Sequence, residues 1–343
     1  MLLALAPMQD VTNLAFMRTL HRLGSLPDYF VSAYFRSSPG RSGFSPAALA
    51  CLTQNETGVP LYAQLAGSDP ASLVRDARAL LEYPVAGIDL NAGCPAPIVC
   101  RKGAGTGLLR VHKRFDAVLR ALREAVPAGM FTVKCRLGWE DTAEWDMLLP
   151  VLSRHQPDLL AVHARTRAGM YMAPVVPSAV RSAVAAMDCP VVANGNVVDI
   201  STASAWIEAA SPQGLMIGRG AVRNPYLFRV LRGGALPTYR DILAYTEILF
   251  EESCRLLASE SETVQCHRIK KYLIYLAADL PADFGFRMRR AATRAAMLSV
   301  LRDHLASGDL FPPLPPRDAP LFAGVHAWSQ RILTTDCTDS DTD

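Results

Sequence analysis

No apolar run in the 343 residues is long enough to cross a bilayer, so no membrane-spanning helix and no membrane association is expected. The opening Met1-Leu2-Leu3-Ala4-Leu5-Ala6-Pro7 has no basic n-region, and Pro7 interrupts it before a secretory h-region reaches its usual length. The eight cysteines contain no Cys-x-x-Cys pair and no Cys/His cluster, which argues against a zinc site and against the disulfide framework of a secreted domain. A reducing cytoplasm is the simplest compartment, and no metal is expected. No Gly-x-Gly-x-x-Gly follows the first strand-like run, so a tightly held Rossmann dinucleotide is not expected either. The formal net charge of +3 is too small to identify a partner, but its distribution is uneven. Asp336, Asp339, Asp341 and Asp343 make an acidic end, while Arg and Lys concentrate between positions 267 and 302.

What is present is a rhythm. Short apolar, β-branched runs at 2–6, 29–34, 61–65, 87–90, 131–134, 159–163, 190–193 and 214–217 alternate with amphipathic stretches. The stretches at 71–81, 115–125, 143–154, 178–187 and 202–210 read as helices. Eight βα units in about 235 residues match the number and length of a TIM (β/α)8 barrel. A doubly wound sheet would also alternate, with fewer units and one switch point for its ligand. From residue 239 the rhythm stops, and 245–257, 263–278 and 287–304 read as helices of a small C-terminal all-α bundle. The expected organisation is an α/β barrel over 1–237, a helical domain over 238–330, and a disordered acidic tail over 331–343.

The strand ends carry the chemistry. Pro7-Met8-Gln9, Arg36, Gln64, Asn91 with Cys94, Lys134 with Arg136, His163 with Arg165, Asn194-Gly195-Asn196 and Gly218-Arg219-Gly220 each follow or close a run. In a parallel barrel all eight C-terminal strand ends converge on one face, so these residues would ring one pocket. Any one alone is more often a structural group, and a lone Cys94 would read as a small core residue. Asn194-Gly195-Asn196 and Gly218-Arg219-Gly220 lie after strands seven and eight, the usual phosphate position of this barrel. Arg219 adds a forked cation there, and a short helix starting near Asn224-Pro225 would aim its N-terminus at an anion. A phosphate so placed, the amide of Gln64, the cation of Lys134 and an apolar floor from Pro7 and Met8, with Gln9 beside them, suit flavin mononucleotide. NADPH would then be a transient reductant.

The chain resembles the tRNA-dihydrouridine synthases. The resemblance rests on Ala6-Pro7-Met8, Gln64-Leu65-Ala66-Gly67, Asp89-Leu90-Asn91-Ala92-Gly93-Cys94-Pro95, Val133-Lys134-Cys135-Arg136, His163-Ala164-Arg165-Thr166, Ala193-Asn194-Gly195-Asn196 and Ile217-Gly218-Arg219-Gly220-Ala221, in family order. Ala164 and Gly107 depart from the usual residues without touching a reacting group. The resemblance implies reduction of the uracil C5=C6 bond of a D-loop uridine, with hydride from FMN N5 to C6 and a proton from Cys94 to C5. Lys134 and His163 would contact the flavin, and Asn91 and Tyr171 the substrate nucleotide, with Arg36, Arg136 and Arg165 on the RNA side. Arg268-Ile269-Lys270 followed by an aromatic resembles the C-type bacterial subgroup, which acts on uridine-16. Arg268, Lys270 and Lys271, interleaved with Tyr272 and Tyr275, read either as a solvated basic face or as a tRNA-binding surface. Beside a pocket that needs a flipped base, the tRNA reading is the better one, with a monomer expected.

Three alternatives share parts of this pattern. A flavin barrel acting on a free pyrimidine, similar to dihydroorotate dehydrogenases, would not need the basic helices. A Schiff-base barrel would use Lys134 as nucleophile. Non-catalytic RNA binding would leave the ring of strand-end groups unexplained.

Overall fold

A computed structural model describes residues 1–40, 43–317, 319 and 322. Among these described residues nine strands, all parallel, are numbered in chain order: β1 Leu2–Leu5, β2 Tyr29–Val31, β3 Phe35–Arg36, β4 Leu61–Ala66, β5 Gly87–Ala92, β6 Phe131–Arg136, β7 Leu159–His163, β8 Val191–Asn194 and β9 Gly214–Ile217. β1 pairs with both β2 and β9, and β2 pairs with β4, so eight strands close a barrel. The chain is a TIM barrel. The run expected at 29–34 is in fact two pieces, with β3 pairing further along β4 at Phe35↔Leu65. The Ser32 side chain interrupts the ladder, because its hydroxyl oxygen accepts the Gln64 N–H at 3.0 Å.

Alternation along each strand sorts residues to two sides. Ala4, Tyr29, Val31, Leu159, Ala161, Val192 and Met216 fill one end of the barrel interior. Leu65, Leu90, Val133, Cys135, Val162 and Ala193 point outward into the larger core beneath the helices. Those helices obey ordinary end rules. Asp69 caps Pro70–Leu81 by accepting the Ser72 N–H, with Pro70 in the first turn, and Asp199 and Thr202 form a capping box on Ile200–Ala210.

The helical C-terminal region differs in detail from its sequence reading. Its first helix, Tyr239–Leu256, begins six residues earlier than 245, because Thr238 and Asp241 make a capping box. The stretch 263–278 ends as a helix at Leu273, in Glu262–Leu273, and is followed by a short 3-10 turn, Ala277–Asp279. The helix expected at 287–304 is two, Ala282–Arg290 and Arg294–Leu305, because Thr293 turns extended and caps the second by accepting the Ala296 N–H. These helices share one apolar core with the barrel: Phe16 stacks on Tyr272 at 5.9 Å and meets Tyr245 edge-on at 6.4 Å. The Arg223 guanidinium and the Asp279 carboxylate form a fully buried pair at 2.6 Å between the two regions. No helix among the described residues is long and apolar enough to cross a membrane. The tail expected at 331–343 lies outside the described residues.

Candidate active site

The register of the strands brings polar side chains together at the end of the barrel opposite the apolar plug. Gln64 lies beside Asp89, Asp89 beside Thr132, Asn91 beside Lys134, Arg136 beside His163, and His163 beside Asn194. All of these occupy inward positions of their strands, so one parity rule gathers them. Above them opens a cavity of about 620 Å³. Pro7, Met8, Gln9, Asn91, Cys94, Lys134, Arg136, His163, Tyr171, Asn194, Gly195, Asn196, Gly218 and Arg219 all reach it.

Cys94 lies two residues beyond β5 and is held from both sides. The Asn91 Oδ1 accepts the N–H groups of Gly93 at 3.1 Å and Cys94 at 2.9 Å, while the Cys94 carbonyl accepts the Thr106 N–H and hydroxyl, each at 3.1 Å. The Thr106 turn can approach because Gly105 takes φ +57°, and a Cβ there would meet the Cys94 carbonyl at 2.6 Å. The thiol is partly buried, and loss of solvent pushes its pKa above the usual value, so it carries its proton at neutral pH.

The opposite charge is missing. Lys134, Arg136 and Arg219 line the cavity and no carboxylate does, among the described residues. Burial, then Arg136, brings the Lys134 ammonium down to about 8. Burial and the surrounding cations keep His163 well below its ordinary value, so its ring is neutral. The Arg136 guanidinium donates to the carbonyls of Gly93, Thr166 and Met170 at 3.1, 2.8 and 2.7 Å. Tyr171 lies between the guanidiniums of Arg136 and Arg219, 5.2 and 5.1 Å from its ring, and 6.0 Å from the His163 ring.

Not every residue expected at the site faces the cavity. Gln64 is fully buried and does not line the cavity; its Nε2 donates to Asp89 and its Oε1 accepts from Asn91, each at 2.7 Å, which leaves a second N–H and a second lone pair. Arg165 is 1% exposed and donates to Ala173, to Asn196 at 2.9 Å and toward His163 at 3.2 Å; it braces the wall and does not line the cavity. Arg36 lies over Tyr34 at 6.0 Å and lines a neighbouring cavity of about 340 Å³. Arg268 and Lys271 pair with Asp10 at 3.5 and 3.0 Å, and Lys270 donates to the Arg289 carbonyl, all outside the main cavity. The short helix expected near Asn224-Pro225 is Leu227–Leu231, and a further one, Arg219–Arg223, precedes it; between them the Asn224 Oδ1 accepts the Tyr226 N–H.

Two features bear on an anionic group. Asn194 spends its Nδ2 on the Met216 carbonyl at 2.7 Å, but the Asn196 Nδ2 is buried without a partner. Gly220 is required for packing, since a Cβ there would meet the Val197 carbonyl at 2.2 Å; this contact seats the last two loops against each other. Tyr34, Tyr275, Phe322 and Met170 also line the cavity and were not legible as site residues, since each comes from a loop or from the helical region. Asp89 and Thr132 were legible by parity, two positions before Asn91 and Lys134.

The chain matches the Dihydrouridine synthase (Dus) family over residues 4–304. It is 32% identical over 294 residues to the tRNA-dihydrouridine synthase B of Pseudomonas aeruginosa, covering 83% of this chain and 86% of that protein. It is 32% identical over 285 residues to the tRNA-dihydrouridine(16) synthase of Haemophilus ducreyi, covering 81% and 86%. Among solved structures, histamine dehydrogenase from Rhizobium sp. 4-9 superposes with a TM-score of 0.52 at 10% identity, covering 72% of this chain and 48% of that one. Morphinone reductase in complex with tetrahydroNAD gives 0.50 at 13% identity, covering 68% and 87%. The two structures share the barrel; the family match over most of the length carries more: this chain belongs to the dihydrouridine synthase family.

Proposed function

We propose that the chain reduces a D-loop uridine of tRNA to 5,6-dihydrouridine, using bound FMN and NADPH as the reductant. The observation that carries this reading is one cavity that brings a protonated thiol together with the Lys134 and Arg136 cations. The residues present suit the cofactor: an orphan donor at Asn196 and the cation of Arg219 fit a phosphate, and Lys134 fits negative charge on a reduced flavin ring. Pro7, Met8, Gln9, Asn194, Gly195, Gly218 and His163 would complete its bed. When bound, FMN supplies a hydride to C6 of uracil, whose C5=C6 bond is conjugated with the C4 carbonyl.

The remaining work falls to this chain. Cys94 keeps its proton through burial and gives it to C5, leaving a thiolate that the Lys134 and Arg136 charges favour. Tyr171, 41% exposed, stands at the mouth with Met170 and Met172, an apolar rim suited to a base taken out of its stack. The division of labour is a barrel over 1–237 that holds the flavin and helices over 238–330 that hold tRNA through Arg268, Lys270 and Lys271. The reaction asks for no metal and no second chain, and its substrate places it in the cytoplasm. The (16) synthases among the relatives and the Arg268-Ile269-Lys270 segment favour uridine-16.

The test is purification followed by turnover on tRNA from a strain lacking the modification, with dihydrouridine mapped by position. A yellow protein that converts uridine-16 in tRNA, and free uridine poorly, is expected. A colourless protein that takes up no added FMN would refute the cofactor, and equal turnover of free uridine would refute tRNA as substrate.

A further inference from the structure

The last described stretch of the chain comes back to the barrel. The family match ends at residue 304, near the close of the helix Arg294–Leu305, and residues 306–317 run on from it. The Phe311 N–H donates to the Pro237 carbonyl at 2.9 Å, and the Arg223 guanidinium lies 4.7 Å from the Phe311 ring. Beyond that anchor, Ala319 and Phe322 join Val198 in a small apolar cluster separate from the main core, with Ala278 and Leu314 packed against it. Val198 lies two residues after Asn196, so the cluster rests on one of the two loops that suit a phosphate.

Phe322 also reaches the other loop. Its ring is buried, lines the main cavity and stands 5.5 Å from the Arg219 guanidinium. The Tyr171 ring stands 5.1 Å from the same guanidinium. A guanidinium donates its hydrogen bonds in its own plane and is weakly hydrated, so aromatic rings can stabilise the charge without competing for those donors. A long side chain otherwise loses rotamer freedom when it engages a ligand, and a side chain already held loses less.

We propose that Phe322 is a positioning residue for cofactor binding: together with Tyr171 it holds the Arg219 guanidinium ready for the phosphate of FMN. This rests on the reading of Arg219 as a phosphate contact. Acting through Arg219, the Phe322 ring matters for FMN and not for riboflavin, which has the same ring system and ribityl chain but no phosphate.

The test titrates full-length apoprotein with FMN and with riboflavin. Phe322→Leu keeps an apolar side chain and removes the aromatic face; it should raise the Kd for FMN about tenfold, within the worth of a desolvated cation–π contact, and leave that for riboflavin within about twofold. Adding Phe322→Leu to Arg219→Ala should change the Kd for FMN by less than about twofold, because the group through which the ring acts is gone. Equal weakening of both ligands in Phe322→Leu makes Phe322 an ordinary wall residue and overturns the proposal, as does full additivity in the double variant. A Phe322→Leu apoprotein that fails to fold overturns it too, since the ring would then serve the core. In Arg219→Ala, an undiminished preference for FMN over riboflavin removes the phosphate contact itself and the role of Phe322 with it. A preference lost in Arg219→Ala but parental in Phe322→Leu removes the role of Phe322 alone.

Discussion

Cations in the cavity and cations on the C-terminal helices keep opposite company. On the helices Arg287 pairs with Asp303, Arg302 with Glu247, and Arg268 and Lys271 with Asp10. In the cavity, burial lowers the pKa of Lys134, Arg136 and Arg219, and Arg136 adds to the effect on Lys134 and Arg219 to that on Arg136. A cation held beside other cations is costly unless an anion joins it, whereas an exposed pair is near neutral in energy and easily exchanged. An anion entering the cavity would meet buried cations, whereas one reaching the helix surface would have to displace exposed acidic partners.

The largest effect should come from the group assigned to proton transfer. Cys94→Ala is expected to retain FMN and its reduction by NADPH while uridine reduction falls about 10²–10⁴-fold, measured as dihydrouridine formed per unit time. Cys100→Ala is the neighbouring control, since the Cys100 Sγ lies 3.5 Å from the Cys94 carbonyl; a small loss there is compatible, and an equal loss is not. Next, Arg219→Ala should weaken flavin binding about 10- to 150-fold, the worth of one charge-assisted contact, as read by titrating apoprotein with FMN. Retention at the parental affinity would break the contrast at its strongest point.

A pH titration sharpens it further. Lys134 in the free protein loses its proton at about 8, and an anionic ligand favours the charged form. Binding must then take up a proton above that pH. Affinity for reduced FMN, whose ring carries the charge that Lys134 would face, should fall by up to about tenfold per unit above pH 8, and Lys134→Met should remove that fall. The smallest effect belongs to the helices: Arg268→Ala with Lys270→Ala should reduce the salt slope of tRNA binding by about one per lost phosphate contact, with flavin content intact. An unchanged slope would return these residues to a solvated face.

The eight barrel strands were legible because a buried parallel strand is written as a short apolar run, and each run located its strand to within a few residues. The cavity wall was legible because polar residues closing such runs have only one place to go. Side-chain direction beyond the strand ends was not. Gln64 and Arg165 were placed at the cavity by position along the chain, yet Gln64 is claimed by Asp89 and Asn91, and Arg165 by Ala173 and Asn196. Those claims depend on register and on a loop closing over the wall, which no local pattern records. The division of 287–304 into two helices was hidden for a similar reason, since Thr293 is acceptable within a helix and acts as a cap only where packing turns it extended.

The buried pair of Arg223 and Asp279 constrains how this architecture can be recombined. Arg223 ends the short helix that begins at Arg219 in the cavity wall, and its guanidinium also donates to the Pro312 and Pro313 carbonyls at 2.7 and 2.9 Å. A chimera joining this barrel to the helices of a relative would bury an orphan charge unless an equivalent of Asp279 travelled with them, at a penalty of about 3–5 kcal/mol. Exchange of substrate preference between relatives by grafting is therefore open only along a cut that carries both members of the pair.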